Sequence, residues 1–193
     1  MAVLPQLICA GCHQHLEEAP GQCPHCGSSP LIEGRFRLTQ RLEELDRVAL
    51  FQALDMSTGA GVRARCRDLS NEGEATLAAH ERDARVLRQV SHPMVPRYVT
   101  HSEVTHAEGD YAYVLEDMPR GMSLAHEHLE RRYTERDVMR IVDELLVTVG
   151  YLHKLNPTLI HADLTLQNII RAEASGRLYI TNFGSANEGD EES

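Results

Sequence analysis

The chain has 193 residues, 42% hydrophobic and 25% charged, enough to bury the core of one ordinary domain with a small appendage. Its formal net charge of −10 opposes non-specific binding to nucleic acid or to an anionic membrane surface, because like charges repel over about a Debye length, and a basic partner suits it better. No run approaches the roughly 20 apolar residues of a bilayer span and no signal-peptide pattern opens the chain, so a cytoplasmic protein with no membrane partner is expected.

Residues 1–32 contain neither Lys nor Arg and end in the turn-like run Gly27-Ser28-Ser29-Pro30, after which the composition changes. Cys9-Ala10-Gly11-Cys12 and Cys23-Pro24-His25-Cys26 each hold two thiols two positions apart, the spacing at which a backbone knuckle presents both sulfurs to one tetrahedral zinc ion. Two such pairs resemble a zinc ribbon, and four sulfur ligands leave no open position, so the zinc expected at Cys9, Cys12, Cys23 and Cys26 is structural. In a reducing compartment disulfides are the weaker alternative. His13, His15 and His25 are expected in solvent, and Cys66 as a packed core thiol. Without cationic side chains to face phosphates, the ribbon is expected to contact protein rather than nucleic acid.

Beyond Arg35 the pattern predicts strands at Arg35–Leu42, Val48–Leu54 and Val62–Cys66, then a helix at Ala75–Val90 stopped by Ser91-His92-Pro93. Strands follow at Arg97–His101 and Tyr111–Glu116. The clearest helix is Thr134–His153, with Thr134 as cap, Asp137 as a short-armed capping-box partner, and an apolar face of Val138, Ile141, Val142, Leu145, Leu146, Val149 and Leu152. Asn168–Arg171 and Leu178–Thr181 predict a hairpin, and the acidic tail Asn187–Ser193 is expected to be disordered.

His161-Ala162-Asp163-Leu164-Thr165-Leu166-Gln167-Asn168 resembles the catalytic loop of protein kinases, in which His-Arg-Asp is followed after four residues by Asn. Thr181-Asn182-Phe183-Gly184 resembles the Asp-Phe-Gly segment, and Tyr113-Val114-Leu115-Glu116-Asp117-Met118 the strand and hinge that hold adenine. The resemblance runs from about Gly34 to Ala186, some four-fifths of the chain. It implies an α+β architecture: a small zinc ribbon (1–32), a kinase-like N-lobe of antiparallel sheet plus helix with its hinge (33–118), a truncated C-lobe (119–186) and an acidic tail (187–193).

Against the family pattern the chemistry is depleted. Glu43, Leu45 and Val48 stand where three glycines should cover the phosphates. Arg65 holds the place of the nucleotide-gripping lysine, and because Lys154 is the one lysine in the chain no shift of alignment restores it. Asp83 takes the place of the helix Glu that pairs with that lysine, with Glu81 as competitor, so an Arg65–Asp83 ion pair is expected. Asn182 replaces the metal-chelating Asp, Ala162 the Arg that reads a phosphorylated activation segment, and Thr165 the lysine that steadies the transferred phosphate. Asp163 and Asn168 remain as catalytic base and second metal ligand.

The resemblance, with these losses, implies a pseudokinase: a signalling module for regulation or scaffolding that binds a protein, whether a kinase, an effector or a second copy, with structural zinc and doubtful ATP/Mg. The alternative is a Ser/Thr protein kinase with an atypical ATP/Mg site. A degenerate nucleotide pocket is expected around Ala64, Arg65, Asp83, Leu115, Glu116 and Met118.

Overall fold

Alternating burial builds the first half of the chain into strands. In Val48–Asp55 every second side chain, Ala49, Phe51 and Ala53 among them, faces the core, as the two-residue period of a pleated strand requires. The computed structural model describes residues 7–17, 21–45, 48–70, 73–106, 109–117 and 120–189. Met118 of the expected nucleotide pocket lies outside them. Two compact units result, residues 1–80 with 98–117 and residues 81–97 with 118–193.

The first unit is a seven-stranded antiparallel sheet of β1 (Leu7–Ile8), β2 (His15–Leu16), β3 (Phe36–Leu45), β4 (Val48–Asp55), β5 (Gly61–Asp68), β6 (Arg97–His106) and β7 (Gly109–Asp117), in the order β2-β1-β3-β4-β5-β7-β6. Ile8 of β1 pairs with Leu38 of β3, so the ribbon's strands extend the kinase-like sheet, and the boundary expected near Ile32 falls inside one unit. Ile8, Ala10 and Ile32 share a core with Phe36, Leu38, Phe51, Val62, Ala64, Cys66, Tyr113 and Leu115. Phe36 and Phe51 are fully buried, worth about 1.5–3 kcal/mol each. Where the family has its glycine-rich turn, the β3–β4 ladder runs on through Glu43 opposite Leu50, with irregularities at Leu38/Gln40 and Arg41/Glu43.

The helix α1 (Gly73–Gln89) carries Glu74 in its first turn and Arg88 in its last, matching the helix dipole at both ends. The second unit continues through β8 (Gly121–Ser123), α2 (Leu124–Glu130), α3 (Glu135–Leu152), β9 (Leu159–Ile160), β10 (Ile169–Ala172), β11 (Leu178–Ile180) and β12 (Asn187–Glu188). Thr134 caps α3 and forms a reciprocal capping box with Asp137, as the sequence predicts. Ile141 and Leu145 pack against Leu124, Ile169 and Leu178, whereas Val138, Val142 and Leu146 of the same apolar stripe stay exposed. The short helix α2, capped by Ser123, was not foreseen. Nor was the ordering of the tail's first residues: Asn187 and Glu188 pair with Ile160 and Leu159, and Glu188 lies 3.3 Å from Arg85. Among the described residues no helix is long and apolar enough to cross a membrane.

Glu127 of α2 ties the second unit together, accepting hydrogen bonds from Arg131 at 2.7 Å and from Arg171 of β10 at 2.7 Å. Burial alone would raise its pKa, but the two guanidiniums outweigh that and hold the carboxyl below its ordinary range. A depressed folded-state pKa contributes stability that is present above the unfolded value near 4.3 and is lost as pH falls through the folded value. Glu127→Gln is therefore expected to lower the melting temperature at neutral pH, with the gap to wild type closing as pH falls below about 4, measured by parallel thermal melts.

Candidate functional site

Two loops of the second unit meet as the kinase resemblance requires. The buried His161 imidazole bonds through Nε2 to the Thr181 carbonyl at 3.1 Å and accepts the Asp163 amide at Nδ1, so Nε2 carries the proton. Its ring meets the edge of Phe183 at 4.8 Å between centroids. The Thr181 amide bonds in turn to the Asn168 carbonyl at 2.9 Å. These contacts bring Asp163, Asn168 and Asn182 into one cluster. Ala162 and Asn182 both sit at positive φ, 60° and 68°, conformations that side chains adopt only when surrounding contacts enforce them.

In that cluster Asp163 is the one carboxylate, and it already has donors. Asn168 Nδ2 lies 2.9 Å from Asp163 Oδ2, Asn182 Nδ2 lies 3.5 Å from the same oxygen, and Asn182 Nδ2 also donates to Asn168 Oδ1 at 3.2 Å. The amide N–H groups point at the lone pairs that a metal ion would use, and two neutral amides with one carboxylate are a weak oxygen set for Mg²⁺. Asp83 is fully buried and accepts the Phe183 amide at 2.9 Å, while Arg82 donates to the Gly184 carbonyl at 2.7 Å, so α1 grips the Asp-Phe-Gly-like segment from two positions. Glu81, the competing candidate, is exposed. The expected Arg65–Asp83 pair would join residues of different units, and within its own unit Arg65 faces Glu116.

Of the residues expected at the nucleotide pocket, Ala64, Arg65, Leu115 and Glu116 lie in the first unit and Asp83 in the second. Leu115 lies opposite Ala64 in the β5–β7 ladder, and both point into the core beneath the ribbon. Arg65 and Glu116 point to the other face, because strand side chains alternate. On the Arg65 face stand Arg63, Arg65 and Arg67, all buried, with Arg63 directly across from Glu116. Arg63 Nε donates to Glu116 Oε1 at 2.6 Å, and Arg65 NH2 lies 3.5 Å from the same oxygen. The family's Val-Ala-Ile-Lys pattern has a small alanine where this chain has Arg63, on the same side as the lysine that grips the nucleotide. Arg63, Arg67 and His161 were not singled out as site residues by sequence reasoning. The run Arg63-Ala64-Arg65-Cys66-Arg67 carried the signal for the first two, since three arginines at a two-residue period on a strand must share one face.

The cysteines do converge. The Sγ atoms of Cys9, Cys12, Cys23 and Cys26 lie within 4.8 Å of one another, with Cys9–Cys26 and Cys12–Cys23 both at 3.7 Å. Tetrahedral Zn–S bonds of about 2.3 Å put sulfurs about 3.8 Å apart, so the cluster fits one zinc ion and is compatible with a zinc ribbon. The Gly11 amide donates to Cys9 Sγ at 3.3 Å, and a side chain at Gly11 would come within 3.3 Å of Cys26 Sγ. Burial pushes the Cys12 thiol up to about 11, so metal uptake must displace protons. His15 and His25 are exposed as expected, whereas His13 is half-buried, its ring packed 4.9 Å from Phe51 and 4.5 Å from Tyr111.

Known proteins resemble the chain along most of its length. It is 27% identical over 172 residues, 84% of its length, to a Synechocystis protein named serine/threonine-protein kinase B, and covers 29% of that protein. It is 28% identical over 81% of its length to CBL-interacting protein kinase 16 of Oryza sativa subsp. japonica, covering 33% of it. Over 54% of its length it is 30% identical to human calcium/calmodulin-dependent protein kinase type 1B, covering 29%. The chain thus spans roughly a third or less of the curated relatives it matches. A family profile described as protein kinase domain matches residues 49–193, and with the His161–Asn168 loop and the Thr181–Gly184 segment folded together the chain belongs to the protein kinase domain family.

Proposed function

We propose that the chain is a pseudokinase, a kinase-family scaffold that binds a protein partner and transfers no phosphate, carrying structural zinc at its four cysteines. The observation that carries this proposal is the buried Arg63–Glu116–Arg65 cluster, which puts two guanidiniums and a carboxylate on the side of the sheet where the family grips its nucleotide. Elsewhere in the chain, Asn182 stands in for a metal-binding acid, and the β3–β4 ladder occupies the place of the glycine turn. Phosphoryl transfer depends on positioning and charge stabilisation, and removing one charge-stabilising group raises the barrier by about 2–4 kcal/mol. Together these substitutions lower the rate by many powers of ten. The exposed residues Val138, Val142 and Leu146 offer a partner an apolar surface.

A Ser/Thr kinase with an atypical site is the second reading, favoured by Asp163 and Asn168 remaining 2.9 Å apart and by the relatives' names. The two separate in a phosphoryl-transfer assay on Ser/Thr peptides with wild type and Asn182→Asp. Neither protein is expected to exceed a blank, because restoring the acid leaves Arg63 and Glu116 in place. Turnover by wild type, or turnover acquired by Asn182→Asp, would favour the atypical kinase.

A further inference from the structure

The cysteine knuckle is fastened to the kinase sheet by its own side chains, not only by the short β1–β3 pairing. Tyr113 of β7 is fully buried and its hydroxyl donates to the Ala10 carbonyl, between Cys9 and Cys12, at 2.6 Å. Its single proton is committed there, so the contact of 2.6 Å between Tyr113 OH and His13 Nε2 requires the imidazole N–H to donate and the phenol oxygen to accept. His13 directly follows Cys12, adopts φ 55° and meets the rings of Phe51 of β4, Tyr111 and Tyr113 of β7, with Cys66 Sγ of β5 at 3.8 Å. A positive φ at a residue with a Cβ persists only where packing enforces it. The knuckle therefore accepts backbone strain to aim this one ring into three strands of the sheet.

We propose that His13 and Tyr113 form a latch through which metal occupancy of the four-cysteine knuckle holds strand β7, so that the ribbon is a zinc-dependent clamp on the kinase sheet. The proposal rests on zinc binding at the cysteines. The metal fixes the Cys9–Cys12 turn, the turn presents the Ala10 carbonyl and His13 together, and both engage Tyr113, three residues before Glu116. Releasing the metal frees the turn to relax from the strained His13 conformation, and the latch opens.

Hydrogen exchange on the full chain, with bound zinc counted separately, tests this. His13→Ala keeps all four sulfurs, so it is expected to retain wild-type zinc stoichiometry while peptides covering 109–117 exchange at least about tenfold faster, the change that about 1.4 kcal/mol of lost local stability produces. Tyr113→Phe, which strips both partners at once, is expected to do the same and to lower the melting temperature by roughly 5 °C. Chelation of wild type should deprotect the same strand, with a smaller additional effect in His13→Ala. Zinc-loaded His13→Ala and Tyr113→Phe with β7 as protected as in wild type would overturn the latch, whatever chelation does. A wild type without zinc would instead remove the metal on which the latch rests.

Discussion

Glu116→Ala is expected to destabilise the protein by about 3–5 kcal/mol, lowering its melting temperature by roughly 10 °C or more. Glu116 is fully buried, and its Oε1 is 2.6 Å from Arg63 Nε and 3.5 Å from Arg65 NH2. Arginine stays charged at any accessible pH, so removing the carboxylate takes from two buried guanidiniums the negative charge that both face. The physical control is the triple variant Arg63→Met, Arg65→Met, Glu116→Leu. Replacing a buried ionic cluster by apolar groups of similar volume is close to neutral, so most of the lost stability should return. Urea melts of the three proteins check this. An unchanged Glu116→Ala would show that the cluster holds no net charge in place.

Removing the metal is the second large perturbation. One zinc per chain is expected by elemental analysis, because sulfur pairs at 3.7 Å already have the spacing of a zinc tetrahedron. Structural zinc contributes an apparent 10–16 kcal/mol or so at neutral pH, against a whole-domain stability of about 5–15 kcal/mol. Chelator, or Cys23→Ser, should therefore cost most of the first unit's stability, since β1 and Ala10 belong to the same core as Phe36 and Phe51. Identical melts with and without chelator, or loss of free thiols without any metal, would point to disulfides instead.

Much of this architecture was legible in the sequence, for identifiable reasons. The long helix α3 announced itself through a capping pair and an apolar period, and both features are local. The cysteine quartet was legible because metal geometry restricts spacing, and the His161–Asn168 loop because its chemistry does. What escaped was non-local. A two-residue strand such as Leu7–Ile8 has no periodicity to read, so its pairing with β3 could not be foreseen. His13 carries no spacing signal, and only the fold brings Tyr113, a hundred residues away, against it. Side chains alternate along β5 and β7, so Ala64 and Leu115 face one side of the sheet and Arg65 and Glu116 the other, a consequence of register that needs the strand pairing to be known.

The central claim is that the Arg65 side of the sheet, occupied by its own charged cluster, does not receive a metal-bound nucleotide. The most direct measurement is a thermal-shift titration of the wild-type chain with ATP and Mg²⁺ at millimolar concentrations. A ligand bound only to the folded state must raise its melting temperature. The predicted result is a shift below about 1 °C with or without Mg²⁺, and a Mg²⁺-dependent rise of about 5 °C or more would contradict it.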